Sequence, residues 1–177
     1  SRALSHADNA YFYPHVRLRG LSCKTNTQSN TAFRGFGGPQ GMIGAEAIMD
    51  QIARTLDLDP LEVRRRNFYE PGTERDLTPY HQRVEHFHLP EMIDRILVSS
   101  DYAARRKAVD AFNASSPVIR KGLALSPVKF GISFNKIELN QAGALVHVYT
   151  DGSIRLNHGG TEMGQGVFTK VAQVVAE

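Results

Sequence analysis

The chain has no tryptophan and one cysteine, Cys23. A single thiol excludes an internal disulfide. It also excludes an iron–sulfur cluster held within the chain, because such clusters usually take about four thiolates. Scarce thiols suit a reducing compartment and point to a cytoplasmic location, and an inert buried thiol is the expectation for Cys23. No run approaches the roughly 18 consecutive apolar residues that a membrane-spanning helix needs. The opening Ser1-Arg2-Ala3-Leu4-Ser5-His6 has no apolar stretch of signal-peptide type. An initiating methionine is missing as well, and the chain closes inside a helical pattern with no cap, so both ends read as cuts in a longer polypeptide. Excess charge of one sign is also small. The net charge of +3 does not argue for nucleic acid, and the one dense basic run, Arg64-Arg65-Arg66, reads as a solvated helix face.

What is present is a globular composition, 41% hydrophobic and 22% charged over 177 residues. That length suits one domain or parts of two. There is no internal repeat. Residues 1–23 read as extended structure, with aromatic Ala10-Tyr11-Phe12-Tyr13 ahead of Pro14. Apolar residues then recur at helical spacing from about Pro39 to Leu56, through Ile43, Ala47, Ile48, Ile52 and Leu56, and predict one buried stripe. Asp59, Pro60 and Glu62 form a strong start for a second helix, expected to reach about Tyr69. Residues 71–89 are polar and irregular and read as a connection. Further helices open near Pro90 and after Asp101, where the aspartate is a possible N-cap, and a break follows at Asn113–Lys121.

Beyond that break the period falls to two. Leu123–Phe134 reads as one or two strands. Ala144–Asn157 reads as a hairpin, with Asp151-Gly152 as its tight turn. Val167–Glu177 returns to helical spacing. The expected architecture is therefore α+β.

One pattern occurs twice: extended chain, glycine-rich loop, amphipathic helix. The first loop is Ala32-Phe33-Arg34-Gly35-Phe36-Gly37-Gly38-Pro39-Gln40, the second His158-Gly159-Gly160-Thr161-Glu162-Met163-Gly164-Gln165-Gly166. A helix N-terminus carries unpaired N–H groups and partial positive charge, and glycine admits a ligand to the backbone, so such a place suits an oxo or phosphate group. Neither loop has phosphate-loop or dinucleotide spacing. From the glycines alone, structural turns and a binding site are equal readings. Arg34, Phe36 and Gln165 add a planar cation, a stacking face and a donor–acceptor amide. Other titratable groups read blandly. His86 and His88 lack a third ligand and read as a surface pair; His158 reads as loop scaffolding.

The segment Thr31–Gln40 resembles a signature of the xanthine dehydrogenase and aldehyde oxidase family. Asn140-Gln141-Ala142-Gly143-Ala144 with Thr150-Asp151-Gly152, and then His158–Gly166, are similar to two more, in the family's order and at compatible separations. The resemblance covers essentially the whole chain, most loosely at 71–121. It implies parts of two adjoining molybdopterin-binding domains of mixed helices and sheets: 1–70 the end of one, 71–89 a connection, 90–177 the start of the next. It also implies a molybdenum–molybdopterin cofactor bound by this region, with two 2Fe–2S clusters and FAD on other domains or subunits and NAD as the usual electron acceptor. The reaction implied is hydroxylation of hypoxanthine or xanthine to urate with oxygen from water. The parent is expected to be a dimer or heterotetramer, without nucleic-acid or membrane partners.

Carried over position by position, the resemblance makes Arg34 the residue whose backbone lies against the metal's oxo ligand, with Gly35 beside it. Met163, Gly164 and Gln165 become cofactor contacts. Phe36 and Phe134 become the two rings that sandwich a flat heterocycle. Arg2 matches an arginine that separates purine-type members from aldehyde oxidases, and a fixed cation there stabilises negative charge developing on the purine. Asn135 stands where several relatives have threonine, and either residue can bond a substrate carbonyl. Glu162 does not match the base and is assigned a structural role or one that supports a neighbouring cofactor contact.

The resemblance implies a catalytic base that is a glutamate in a Gly-Glu-Pro context, and no Gly-Glu-Pro occurs in the chain; Glu70-Pro71 at an expected helix end is not its equivalent. The base is expected downstream, and the 177 residues alone are expected to be inactive. An aldehyde, nicotinate or other N-heterocycle hydroxylase is the alternative within the family, and a truncated non-catalytic binding module is the alternative outside it.

Overall fold

The change of period beyond residue 121 is matched by a change of architecture. The computed structural model describes every residue except Ser1, Thr31, Ala32, Ile132, Ser133 and Asn135. Helices come first: α1 (Gly38–Leu56), α2 (Pro60–Arg66), α3 (Leu89–Ser99) and α4 (Tyr102–Ser115). A hairpin of β1 (Ala144–Val148) and β2 (Ile154–His158) follows, then α5 (Val167–Ala176). This is the expected mixture of helices with a small sheet. The chain forms two packing units, residues 1–131 and 132–177.

The first unit has a core of Ala10, Tyr11, Ala45, Met49, Ala53, Leu61, Val63, Phe68 and Ile93. Ile93 lies on α3, so this packing continues past the 71–89 connection. That connection is irregular, with Leu77 bridged to Arg83 and Arg83 paired with Asp76 at 2.7 Å.

Helix α1 forms where expected but buries a different face. Gly38, Gly41, Ala45, Met49 and Ala53 point inward, while Ile43 is 70% exposed and Ile48, Ile52 and Leu56 are also exposed. Small residues win because the backbone of residues 3–7 packs directly on this face: a Cβ at Gly41 would stand 2.2 Å from the Ala3 carbonyl oxygen. Branched side chains cannot enter so narrow a gap.

Helix α2 starts as the sequence requires. The Asp59 carboxylate accepts from the Leu61 N–H at 2.8 Å, and Pro60 occupies the first helical position. It stops at Arg66, earlier than expected, because Phe68 pairs with Tyr11 as an isolated bridge. The basic run on this helix is not a uniformly solvated face. Arg64 is buried and donates to Glu46 and Asp50, each at 2.8 Å, whereas Arg65 and Arg66 are exposed. Glu46 also accepts from the Tyr11 hydroxyl at 2.5 Å and from Asn9 at 2.9 Å. Burial, reinforced by Glu46, pushes the Tyr11 hydroxyl far above the ordinary tyrosine range.

Four other expectations are corrected. Residues 2–10 form turns and a short 3-10 helix at Leu4–His6, not extended chain. The described part of Leu123–Phe134 forms no strand; Asn9 pins it instead, donating to the Pro127 carbonyl at 2.9 Å and accepting from the Lys129 N–H at 3.1 Å. Asp101 precedes α4 but makes no side-chain cap, since it sits in the left-handed region at φ 50°. Cys23 is exposed.

In the second unit the expected hairpin forms, with Val146 opposite Leu156. Asp151 accepts from Ser153 across the turn and Gly152 takes φ 82°. No described residue of this unit is buried.

Candidate functional site

The first glycine loop is held by contacts with distant parts of its own unit. Gly35 and Gly37 take φ 93° and 99°, and Phe36 between them takes 50°. A Cβ at Gly38 would meet the Phe130 ring at 2.4 Å, and one at Gly37 would meet the Ala3 nitrogen at 2.9 Å. Packing within the chain therefore accounts for Gly37, Gly38 and Gly41. Arg34 and Phe36 are exposed on this loop. Among the described residues the Arg34 side chain makes no hydrogen bond or ion pair, so its guanidinium can take an anionic group.

Arg2 lies against the same loop. It is 8% exposed. Its Nη2 donates to the Gly131 carbonyl at 2.8 Å, and its guanidinium carbon stands 5.3 Å from the centre of the Phe130 ring. This is a fixed, largely desolvated cation stacked on an aromatic face. His6, which is not among the expected site residues, completes the corner. Its Nδ1 is 2.8 Å from the Arg2 carbonyl oxygen, and its Nε2 is 3.0 Å from the Gly131 nitrogen. No spacing signal marks this histidine: one bond reaches back four residues within the same turn, and the other joins it to Gly131, which only folding brings near.

The second loop is held by its own side chains. The Glu162 carboxylate accepts from the N–H groups of Gly164, Gly166 and Val167 at 2.6, 3.1 and 2.7 Å. Desolvation raises its pKa, but these bonds and one from Phe168 outweigh that and hold it below the ordinary glutamate range. Glu162 thus has the structural role expected of it. The Gln165 amide is used locally too: Oε1 accepts from the Met163 N–H at 2.6 Å and Nε2 donates to the Thr161 carbonyl at 2.8 Å. His158 is scaffolding, its Nδ1 accepting from the Gly160 N–H at 3.0 Å.

These facts test how an oxo-rich cofactor fits. Loop one suits one, with an unengaged arginine beside a left-handed backbone. The N-terminus of α5 does not take an anion in this form, because Glu162 already engages its N–H groups. Gln165 can reach a ligand only by exchanging its two loop bonds. Phe134 is 48% exposed, and its backbone exchanges two hydrogen bonds with the Asn140 side chain, each 2.8 Å. Asn135 lies outside the described residues. A cleft of about 710 Å³ in the first unit, lined by Phe12, Tyr13, His15, Val16, Leu77 and His81 among others, includes none of the expected site residues. Among the described residues no three His, Cys, Asp or Glu side chains are placed to hold a metal ion. None of the described helices is long and apolar enough to cross a membrane.

Comparison with known proteins agrees with the motifs. A family described as "Molybdopterin cofactor-binding domain" matches residues 1–68, and a second of the same description matches residues 95–177. The chain is 52% identical to "Xanthine dehydrogenase" of Emericella nidulans over 99% of its length, and 55% identical to "Xanthine dehydrogenase/oxidase" of Rattus norvegicus over 99%. It is 50% identical to "Nicotinate hydroxylase hnxS" of Emericella nidulans, again over 99%. It spans about 13% of the length of each of these relatives. Among solved structures, the aldehyde oxidoreductase of Desulfovibrio gigas matches with a TM-score of 0.60 at 29% identity, covering 88% of this chain and 16% of that one.

Proposed function

Because the chain belongs to the molybdopterin cofactor-binding domains of the xanthine dehydrogenase family, we propose that it forms part of the purine pocket of a larger molybdenum hydroxylase. In this reading Arg34, with Gly35, and Met163, Gly164 and Gln165 hold the cofactor. Phe36 and Phe134 face the flat heterocycle, and Asn135 bonds a ring carbonyl. When bound, the molybdenum group supplies hydroxylation with oxygen from water and takes up the substrate's electrons. The chain's own contribution is to orient the purine and to place Arg2 where charge develops on it. For the whole protein the proposal extends to electron transfer through 2Fe–2S clusters and FAD to NAD, dimeric or heterotetrameric assembly and a cytoplasmic location. It also retains the division into domains at residues 71–89.

The observation that supports this reading is Arg2. A cation held at 8% exposure between Gly131 and Phe130 needs no reorganisation as negative charge builds on an oxopurine, which is the condition for strong electrostatic stabilisation. Replacing Arg2 with Met in the full-length protein is expected to lower kcat/KM for xanthine about a hundredfold and to leave aldehyde oxidation nearly unchanged. Equal losses on both substrates rule the reading out.

A second reading, hydroxylation of nicotinate or another N-heterocycle, has its own support. The nicotinate hydroxylase is nearly as similar to this chain as the xanthine dehydrogenase of the same organism, 50% against 52%. The ratio of kcat/KM for xanthine and nicotinate in the full-length protein decides between the two.

A further inference from the structure

We propose that His6 is a positioning residue for purine oxidation, acting through Arg2 by locking both ends of the arginine's corner with one neutral ring. The inference rests on the proposed role of Arg2.

The geometry dictates the ring's protonation. A backbone N–H only donates, so the Gly131 nitrogen, 3.0 Å from Nε2, requires Nε2 to be bare. A backbone carbonyl only accepts, so the Arg2 oxygen, 2.8 Å from Nδ1, requires Nδ1 to carry the proton. One tautomer satisfies both, and the ring, 6% exposed, has no further polar atoms. The ring also lies against Phe130, centres 4.9 Å apart and planes inclined at 42°, and Phe130 is the ring under the Arg2 guanidinium.

The corner is thus closed twice. Arg2 grips Gly131 through its side chain, and His6 grips Arg2 and Gly131 through their backbones. The Arg2 carbonyl takes a further bond from Ser5 Oγ at 3.2 Å. His6 therefore fixes both the backbone of Arg2 and the carbonyl-bearing residue that its guanidinium grips. It touches neither substrate nor cofactor in this reading. A misplacement of about 1 Å at a reacting centre can cost about a hundredfold in rate, so loosening this corner has a measurable cost.

The test uses the full-length protein. His6→Phe keeps the ring contact with Phe130 and removes both hydrogen bonds; His6→Gln keeps one donor and one acceptor. His6→Phe is expected to lower kcat for xanthine about twentyfold, to change aldehyde turnover less than about threefold and to weaken binding of uric acid, measured by equilibrium dialysis without turnover, about fivefold. His6→Gln should restore purine turnover to within about threefold of the unmodified protein. In an Arg2→Met background, His6→Phe should add almost nothing to the purine loss, since its effect runs through Arg2.

Equal damage to purine and aldehyde turnover, unchanged uric acid affinity, failure of His6→Gln to rescue, or full additivity with Arg2→Met would each overturn the inference. Arg2→Met tested alone separates the two levels. If it is purine-selective and His6→Phe is not, the His6 inference alone falls. If Arg2→Met itself is not purine-selective, the reading of Arg2 falls and takes the inference with it. Should His6→Phe fail to accumulate, His6→Asn, which keeps a donor near Nδ1, serves in its place: a purine-selective loss supports the inference, and its absence overturns it.

Discussion

The two glycine-rich loops look alike in sequence and are built on different principles. Loop one and the first turn of α1 that it opens, Gly35–Gly41, are shaped from outside: Gly37, Gly38 and Gly41 are glycines because Ala3, Phe130 and the backbone of residues 3–7 occupy the space a Cβ would need. Loop two, around Glu162–Gly166, is shaped from inside. Glu162 caps it, Gln165 is tied into it, and Gly166 takes φ 73° with nothing within 4 Å of a Cβ position. Contact with a cofactor is therefore not needed to explain most of the glycines. What remains for binding in loop one is the Arg34 side chain and the left-handed backbone at 35–37. What remains in loop two depends on whether Gln165 exchanges partners.

Substitutions can break or sharpen this contrast. The largest effect belongs to the start of α1, which loop one opens. Gly41→Ala drives a Cβ into the Ala3 carbonyl and should lower stability by about 3 kcal/mol, seen as a large fall in melting temperature; a neutral result would remove the steric account. Gly166→Ala in loop two meets no clash and should cost only about 1 kcal/mol, for the left-handed backbone, in the same assay. If it costs as much as Gly41→Ala, the loops are not built differently.

Loop two should also respond to pH. The folded-state pKa of Glu162 is depressed. Its contribution is therefore complete above the unfolded value, about 4.3, and is lost as pH falls through the lowered folded value. The protection of the Gly164, Gly166 and Val167 amides, measured as exchange relative to the intrinsic rate at each pH, should fall across that acid window. Glu162→Gln should remove that change in protection and leave the three amides less protected throughout. The smallest effect should come from Gly44→Ala. This glycine lies inside α1 with nothing within 4 Å of a Cβ position, so the change should stabilise by up to about 1 kcal/mol. Its opposite sign to Gly41→Ala, three residues away, would localise the steric constraint to one face of α1.

Much of the secondary structure was legible because it rests on local chemistry. Asp59-Pro60 can be read as a helix start from two residues, and Asp151-Gly152 as a hairpin turn from two more. The inward face of α1 was misread because Ile43, Ile48 and Ile52 carry the stronger hydrophobic signal, whereas the buried face was chosen by how closely residues 3–7 approach. Arg64 differs from its expected exposure for a related reason: nothing in Arg64-Arg65-Arg66 says which of the three meets Glu46 and Asp50 on α1. The stretch before Phe134 was expected to be a strand because its apolar residues alternate. Asn9, more than a hundred residues away in sequence, holds it with side-chain bonds instead.

The sequence by itself determined the family, through three long motifs in order, and it determined the residue types offered to the site: Arg2, Arg34, Phe36, Phe134 and Gln165. These are properties of chemistry at a position, and they survive without coordinates. Only the tertiary structure decided which groups remain available. It packed the loop-one glycines against Ala3 and Phe130, turned Gln165 and Glu162 into their own loop, and joined Arg2 to Gly131 through His6. The physical reason is that a donor or acceptor is satisfied by whatever folding brings within about 3 Å, and for Arg2 and Gly131 that partner lies far away in sequence.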